Sequence, residues 1–382
     1  MNVNKARVKS MRFSEDFIYH LSCSLGRITH LIKLLKGQKQ YIQAKSYFPE
    51  HPLKSKKQIF FEQLRHVLKY GEINNLYFIS GFDRKGNPYA KDTISHSKLK
   101  YIRDKQNFVP NSCASPYNFI CILRDKFTFG AFCKGIGIET PDNIALTDGI
   151  HIQLVEDKIT LPIEKISELI IDAFCKAISG EQGTGTFALE IKDAKIYKNG
   201  SAISLGELKD LLTGNKWIIQ KRLEDQHEAL GCFHEQSVNT IRLITVHSGS
   251  STEVIGAALR MGTGGSRVDN WNAGGIFVQI ETETGKLKKH AFFKPKYGTK
   301  VEKHPDSDIV FEGYKLPFFK EAVDKAMYFH SLLSGIYSIG WDIAITAKGP
   351  VFIEGNDNWD VSFLEVISNG TKKCIEVLEK KS

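Results

Sequence analysis

The sequence predicts a mixed α+β protein in which a mainly helical N-terminal domain precedes two parts built largely from short strands. Three observations support this fold class. Apolar residues recur with helical spacing in the first third of the chain. Short runs rich in Ile, Val and Phe, separated by glycine-containing loops, dominate the rest, and two such runs at 339–346 and 351–356 form a β-hairpin near the end. We place the domain boundaries at 1–115, 116–219 and 220–382.

The composition is that of an ordinary globular protein. The 382 residues are 42% hydrophobic and 25% charged. No apolar run approaches the length of a membrane span and the N-terminus lacks a signal-peptide core, so we expect a cytoplasmic location. The seven cysteines show no Cys-x-x-Cys spacing, which argues against a disulfide framework and against a zinc site.

The positive charge is concentrated in the N-terminal domain. The chain carries a net charge of +9, and residues 1–115 contain 21 Lys and Arg against 8 Asp and Glu. This asymmetry is compatible with nucleic acid, an anionic membrane or a polyanionic small substrate as partner, or with a solvated helix surface. The sequence contains no nucleic-acid recognition motif, so nucleic acid is not the expected partner.

Two helices are predicted in this domain, at residues 13–36 and 58–70, each followed by a glycine. The next domain is predicted to begin with a short strand at 119–123 and a helix opened by Asp125. Lys126 lies in the first turn of that helix, where a cation opposes the helix dipole. An anionic ligand explains this lysine better than helix stability does.

A second lysine occupies an unexpected position. Residues 161–172 are predicted as a helix and 174–178 as a buried strand, with Lys176 in its middle. A loop with three glycines follows at 179–185. A strand lysine beside such a loop is typical of phosphate binding, although the loop is also compatible with a simple hairpin connection.

The remaining sequence alternates strands and polar loops. Strands are predicted at 217–221, 237–246 and 254–261, and a helix is predicted to begin at Pro317. Arg242 and Arg260 lie within apolar strands, so each should meet a carboxylate of the protein or a ligand. The glycine-rich segment 262–275 holds Asp269 and Asn270 and is predicted to be a binding loop.

The closing hairpin contains three oxygen-bearing side chains, Asp342, Glu354 and Asn356. If its turn has three residues, Asp342 faces Glu354 across the strands and Asn356 projects from the same face. Two opposed carboxylates repel each other, and their oxygens suit a hard cation such as Mg²⁺. A solvated acidic face is the alternative. The residues expected on the buried face are Trp341, Ile343, Ile345, Val351 and Ile353.

Taken together, the two lysines, the strand at 218–223 and the closing hairpin resemble the ATP-grasp superfamily. Within it, the chain is similar to the sugar-transfer-associated ATP-grasp family, which is related to the alpha-L-glutamate ligases. The similarity extends from about residue 45 to about residue 365. The segments that carry the closer similarity are 237–242, 260–262, 268–270, 273–275, 304–305, 340–346 and 349–356.

The resemblance implies an ATP-grasp fold, in which two α+β lobes clasp ATP, with an N-terminal mainly helical domain. It implies that Asp342, Glu354 and Asn356 bind Mg²⁺, with two ions expected. It also implies phosphate, adenine, ribose and other ATP contacts from Lys126, Lys176, Gly183, Gly185, Gln220, Lys221, Leu223, His227 and Asn270. Many superfamily members have an arginine where this chain has Gly340, so Arg260 and Arg242 are the candidates for stabilising the reaction intermediate.

The implied activity is ATP-dependent ligation of a carboxylate to an amine through an acylphosphate. The acid would be an amino acid, a peptide or a sugar acid. Two alternatives remain: an ATP-grasp kinase that phosphorylates without ligation, and a basic protein that binds nucleic acid or an anionic carrier through its N-terminal domain. The sequence leaves the oligomeric state open.

Overall fold

A computed structural model describes residues 2–37, 41–42, 45–87, 95–108, 119–179, 185–223, 225–247, 251–294, 296–333 and 335–362. Gly183, one of the predicted phosphate contacts, lies outside these ranges. The chain forms two compact units. The first unit comprises Met1–Phe119, Glu228–Trp341 and Asp357–Ser382, and the second comprises Ile120–His227 and Asp342–Asn356. The domain boundaries at 115 and 219 remain a prediction.

The first unit begins with the predicted helices. Eight α-helices occur in the described residues: α1 (Asn2–Leu35), α2 (Lys56–Tyr70), α3 (His96–Phe108), α4 (Ile120–Arg124), α5 (Lys126–Gly135), α6 (Leu205–Leu212), α7 (Glu228–Gly231) and α8 (Phe319–Leu332). Helix α1 starts eleven residues earlier than predicted. Helix α2 agrees closely with the prediction, and a capping box between Ser55 and Gln58 fixes its start. None of the described helices is long and apolar enough to cross a membrane.

The strands form two antiparallel sheets. One has the order β3-β2-β1-β8-β4-β5-β6-β7 and the other the order β13-β12-β11-β10-β9-β14-β15. The strands of the eight-stranded sheet are β1 (Asn143–Thr147), β2 (His151–Leu154), β3 (Ile159–Pro162), β4 (Ile171–Ala177), β5 (Thr186–Lys192), β6 (Lys195–Lys198), β7 (Ser201–Ile203) and β8 (Trp217–Lys221). The others are β9 (Thr240–His247), β10 (Thr252–Met261), β11 (Ile276–Ile280), β12 (Leu287–Phe293), β13 (Lys300–Val301), β14 (Ser338–Thr346) and β15 (Gly349–Asn356).

Two predicted elements are wrong. Residues 119–123 were expected as a strand, but α4 is a short helix in which Ile120 and Leu123 are buried one turn apart. An apolar run of five residues is too short for its period to distinguish strand from helix. Residues 161–172 were expected as a helix. They instead finish β3, form a 3₁₀ helix of six residues at Ile163–Glu168 and begin β4.

The 3₁₀ helix explains the second error. Ile163 and Ile166 are both fully buried, and their three-residue spacing satisfies a 3₁₀ helix as well as an α-helix. Pro162 pairs with His151 of β2 and so belongs to the sheet. The predicted strands around Lys176, Gln220, Arg242 and Arg260 are confirmed in position.

One buried side chain joins α3 to the strands that follow it by more than two hundred residues. The Asn107 amide group donates to the carbonyls of Ser338, at 2.9 Å, and Asp357, at 2.7 Å. Its Oδ1 accepts from the backbone N–H groups of Tyr337, at 3.1 Å, and Ser338, at 2.9 Å. Asn107 therefore binds the chain at the first residue of β14 and again just after β15.

Candidate active site

The closing hairpin has a shorter turn than predicted. Ala347 and Lys348 form the turn, and Gly349 is already the first residue of β15. The Thr346 hydroxyl donates to the Gly349 carbonyl at 3.0 Å and accepts from the N–H of Lys348 at 3.2 Å. The predicted opposition of Asp342 and Glu354 required a turn of three residues, so the observed two-residue turn removes the basis for it.

The burial of the hairpin is also different from the prediction. Trp341, Ile343 and Ile345 are fully buried, as expected. On β15, however, Val351 and Ile353 are only half-buried. The fully buried apolar side chain of β15 is Phe352 instead. Every residue of β14 is buried, including Asp342, so this strand has no solvated face.

Lys176 lies among charges in the second unit. Burial lowers the pKa of this lysine, the nearby Glu354 carboxylate raises it, and the neighbouring Lys126 lowers it again. The backbone N–H of Lys126 donates to the carbonyl of Ile178, two residues beyond Lys176, at 3.3 Å. This contact brings the start of α5 to the end of β4. The two predicted phosphate lysines therefore lie near each other, and the Glu354 carboxylate acts on Lys176.

Helix α5 begins as predicted. The Asp125 side chain caps it by accepting from the N–H of Thr128 at 2.7 Å. Lys126 is the first helical residue. A helix N-terminus and a lysine together provide N–H donors and positive charge, which suit an anionic group.

Lys176 projects from one face of the eight-stranded sheet together with one aromatic and one amide side chain. On β4, Ala173 and Cys175 point into the hydrophobic core of the second unit. Phe174 and Lys176 project from the opposite face, because side chains alternate along a strand. Phe174 is paired with Gln220 on the neighbouring strand β8. Phe174, Lys176 and Gln220 therefore share this face, which we call the β4–β8 face.

The β4–β8 face also contains groups that sequence reasoning missed. The Gln220 amide group donates to Asn143 Oδ1 at 2.8 Å, which fixes the buried Gln220 side chain. Arg222 forms an ion pair of 2.7 Å with Asp172 and lies 5.4 Å from the centre of the Phe174 ring. Alternation along 172–176 would have identified Asp172 and Phe174 as neighbours of Lys176. Asn143 gave no signal in the sequence.

The segment after β8 runs beside the end of β14. The N–H of His227 donates to the carbonyl of Ile345 at 2.8 Å. Gln226 forms an isolated bridge with Thr346, and the N–H of Ala347 donates to the carbonyl of Asp225 at 3.3 Å. The predicted ribose-contact segment is thus attached through its backbone to the strand that contains Asp342. Glu224, the first residue of that segment, lies outside the described residues.

Oxygen donors for a cation are present on β15. The side-chain amide of Asn356 donates to Glu354 Oε1 at 3.2 Å, so the two functional groups are adjacent. Carboxylate and amide oxygens are donors that Mg²⁺ accepts, and Mg²⁺ needs few protein ligands because it retains waters and phosphate oxygens. Within the described ranges no group of three or more His, Cys, Asp and Glu side chains has a metal-binding arrangement. Glu354 and Asn356 are therefore oxygen donors of the kind that fit a Mg²⁺ ion.

Both predicted arginines lie on one face of the strand pair β9–β10 in the first unit. Thr240 is paired with Arg260, and Arg242 with Ala258, so the two arginines project from the same side. Arg260 Nη2 forms an ion pair of 2.8 Å with Asp269 Oδ1. The other oxygen of Asp269 accepts from the Thr240 hydroxyl. Arg260 is held by a buried carboxylate of the loop 262–275.

Packing explains why residue 340 is a glycine. A Cβ atom built on this residue would lie 2.5 Å from Cβ of the buried Trp359, so no larger residue fits without displacing the tryptophan. The same point is 3.5 Å from Nη1 of Arg242. The guanidinium of Arg242 therefore lies next to the position from which a residue-340 side chain would start.

The loop 262–275 is fixed at its beginning by two histidines. His234 contacts the carbonyl of Gly264 at 2.8 Å and His304 contacts the carbonyl of Gly262 at 3.0 Å. A Cβ at Gly262 would lie 2.7 Å from His234 Nδ1, so glycine is required there. Later in the loop, Asn270 Oδ1 accepts from the N–H of Asn272 at 2.9 Å and begins a 3₁₀ turn. The Asn270 side chain thus has a structural contact in addition to its predicted role.

The comparisons with known proteins now define the class. The chain is an ATP-grasp protein, because a family of this class matches residues 107–379, well over half of its length. It belongs to the sugar-transfer associated ATP-grasp family. The resemblance inferred from the sequence and the α+β ATP-grasp fold with its helical N-terminal region are thereby confirmed. No curated protein matches the sequence.

Solved structures similar to the chain include three nucleotide complexes. N5-carboxyaminoimidazole synthase from Aspergillus clavatus with ADP is 11% identical, with a TM-score of 0.35, over 62% of this chain and 45% of that one. D-alanine–D-alanine ligase from Bacillus anthracis with ATP is 13% identical, with a TM-score of 0.38, over 68% and 66%. The biotin carboxylase domain of Hydrogenobacter thermophilus 2-oxoglutarate carboxylase with MgADP is 12% identical, with a TM-score of 0.34, over 63% and 41%.

The chain spans less than half the length of the first and third of these proteins. Because all three TM-scores are low, these similarities carry no argument about its activity.

Proposed function

We propose that the protein is an ATP-dependent carboxylate–amine ligase that forms an amide through an acylphosphate, with an amino acid, peptide or sugar acid as the acid. The observation that supports this proposal is the cluster of Lys126, Lys176 and Glu354. Two lysines lie near each other in a site whose burial already lowers the pKa of Lys176. A polyphosphate is an anion that two neighbouring lysines can bind.

The proposed nucleotide site uses the β4–β8 face. Lys126 and Lys176 neutralise the phosphates, with Gly185 as the last residue of the predicted phosphate loop. The backbone of 220–223, including Lys221 and Leu223, donates and accepts at the adenine. The Gln220–Asn143 hydrogen bond holds the end of β8 in place for these contacts. His227 is the proposed ribose neighbour.

Glu354 and Asn356, with Asp342, are the proposed Mg²⁺ ligands, and we propose two ions. Bound Mg²⁺ supplies Lewis-acid stabilisation of the charge on the phosphates. Lys176 and Glu354 also affect each other directly, since the carboxylate favours the protonated, phosphate-binding form of the lysine.

The proposed reaction has two balanced steps. A carboxylate oxygen of the acid attacks the γ-phosphorus of ATP, the bond to ADP breaks, and an acylphosphate forms. The amine then attacks the acyl carbon, phosphate leaves and the amine loses a proton, giving the amide. Negative charge develops on the acyl oxygen in the second step, and a fixed arginine stabilises it.

We propose Arg242 for this role and Arg260 for holding the substrate carboxylate. The guanidinium of Arg242 lies beside Gly340, the position at which the resemblance leads us to expect the usual superfamily arginine. Arg260 is oriented by its ion pair with Asp269. Loss of Arg242 should therefore lower kcat, whereas loss of Arg260 should mainly raise KM for the acid.

The test is ADP release by the purified protein with ATP, Mg²⁺ and pools of amino acids, dipeptides and uronic acids. A ligase releases ADP only when an acid and an amine are both present. Stable phosphorylation of a single compound would replace the ligase assignment by the kinase alternative. Binding of DNA or RNA by the full chain, measured at several salt concentrations, addresses the third alternative.

Two lysine variants, one inside and one outside the proposed nucleotide site, form a matched comparison. Lys176→Met should weaken ATP binding about 10- to 100-fold, since a hydrogen bond to a charged group contributes about 1.5–3 kcal/mol. Lys192→Met removes an exposed lysine from β5 of the same sheet, where it pairs only at the surface with Glu190 at 2.7 Å. Equal ATP affinities for the two variants, measured by calorimetry, would exclude Lys176 from the site.

A further inference from the structure

Helix α1 has an exposed apolar stripe, which we call the α1 seam. Its six side chains are between 46% and 64% exposed. They are spaced alternately by three and four residues, which is the heptad pattern of a helix–helix contact. The seam consists of Ile18, Leu21, Leu25, Ile28, Ile32 and Leu35.

The opposite side of α1 already attaches the helix to its own unit. Cys23 and Leu34 are buried. A Cβ at Gly26 would lie 2.1 Å from the carbonyl oxygen of Gly71, and His30 Nδ1 contacts that oxygen at 2.9 Å. The α1 seam is therefore not needed to hold the helix in the first unit.

We infer that the α1 seam is a homodimer interface in which the α1 helices of two copies pair antiparallel. The spacing of the six seam residues is the same in both chain directions, so all six side chains of one copy can face those of another in a single antiparallel register. In that register Ile18 faces Leu35, Leu21 faces Ile32 and Leu25 faces Ile28, each pair occurring twice about a twofold axis. Every layer then joins one Leu to one Ile.

The charges near the seam favour a second copy of this chain as its partner over an anionic membrane. The residues that flank the seam between Leu21 and Ile32 are uncharged: Ser22, Ser24, Thr29 and Leu31. Two basic copies can therefore approach without like charges at the edges of the contact. A helix that lies on an anionic membrane would instead be expected to have Lys or Arg along its apolar face.

The size of the seam is appropriate for the centre of an interface. Six half-exposed Leu and Ile side chains offer a few hundred Å² of apolar surface per copy. That is the range of the largest apolar patch on a typical monomer, which is often functional, and a specific interface buries about 800 Å² per partner. The flanking residues of α1 would supply the remaining area.

The experiment is sedimentation of the full-length protein over the micromolar range. We expect the wild type to be a dimer. Leu25→Glu and Ile28→Lys, each alone, should raise the dissociation constant about 100-fold or more, because each places an unpaired charge in an apolar layer. Ile170→Glu is the matched control, since Ile170 is 92% exposed and lies outside the seam. It should leave the dimer unchanged.

The double variant tests the direction of pairing. In the antiparallel register the Leu25→Glu side chain of one copy faces the Ile28→Lys side chain of the other, so the double variant should recover most of the dimer. A parallel pair would place like charges together and would not recover. A monomeric wild type, a dimer insensitive to both single variants, or seam-dependent binding of the monomer to vesicles containing anionic lipid would each overturn the inference.

Discussion

Replacement of Asn107 by alanine should destabilise the first unit more than any nearby surface change. The residue is completely buried. Its amide satisfies two carbonyls and two N–H groups, at the start of β14 and directly after β15. Alanine cannot replace any of these four hydrogen bonds. The residues that lose a partner are Tyr337, Ser338 and Asp357, all of them buried.

The expected cost can be worked from these contacts. A buried backbone group left without a partner costs about 1–3 kcal/mol. A water molecule that enters the vacated space would satisfy part of the four groups, because the site is polar. We therefore expect a loss of about 3–5 kcal/mol in the free energy of unfolding, which is large for a single substitution.

Urea unfolding followed by tryptophan fluorescence measures this loss. Trp341 and Trp359 are buried in the same unit and report its unfolding. Lys100→Ala is the control, because Lys100 is an exposed residue of the same helix as Asn107, and its effect should stay within about 0.5 kcal/mol. Unfolding of the two variants at the same urea concentration with equal slopes would contradict this role of Asn107.

A second variant separates hydrogen bonding from packing. Asn107→Asp keeps the size of the side chain and the acceptor for the N–H groups, but it places a carboxylate oxygen against two carbonyls. The folded protein then favours the protonated acid, so the variant should gain stability relative to wild type as the pH falls. A pure packing role for Asn107 would leave this variant as stable as the wild type at neutral pH.

Three further predictions concern other buried groups. Lys176→Met should raise the melting temperature at neutral pH, because burial lowers the pKa of Lys176 and a charged lysine there destabilises the folded state. The gain in melting temperature should shrink as the pH approaches 10.5, and calorimetry checks it. Burial lowers the pKa of His330 to about 3, so the free energy of unfolding should fall as the pH drops from about 6.5 towards 3. The expected slope is about 1.4 kcal/mol per pH unit, and His330→Gln should remove this contribution from acid-unfolding curves. Gly340→Ala should cost about 1–3 kcal/mol in urea, because its Cβ would lie 2.5 Å from that of Trp359; wild-type stability would contradict this packing argument.

Local signals in the sequence predicted local structure well. Asp125 caps α5 and Lys126 follows it, as the residue types indicate. Lys176 was identified in the sequence because a lysine is unusual within an apolar strand. In the structure the nearby Glu354 carboxylate favours its charged form. The failures at 119–123 and 161–172 concern segments whose apolar spacing fits two structures equally well, so only tertiary pairing decides between them.

Long-range contacts gave no comparable signal. Asn107 is an ordinary polar residue near the end of a helix, and its four partners follow it by about 230 to 250 residues. The exclusion of a side chain at Gly340 depends on Trp359, which follows it in another segment. Such contacts depend on how strands and helices are brought together, and a single sequence does not encode that in any local period.

The Asn107 contacts have a consequence for the order in which the chain folds during synthesis. Helix α3 leaves the ribosome long before Ser338 and Asp357 exist, so the Asn107 amide must wait for most of the chain to be made. The first unit is also interrupted by the second, whose own last strand comes from 349–356. Neither unit can complete its native contacts on a nascent chain that ends before about residue 357, and chaperone dependence of such truncated chains should be high.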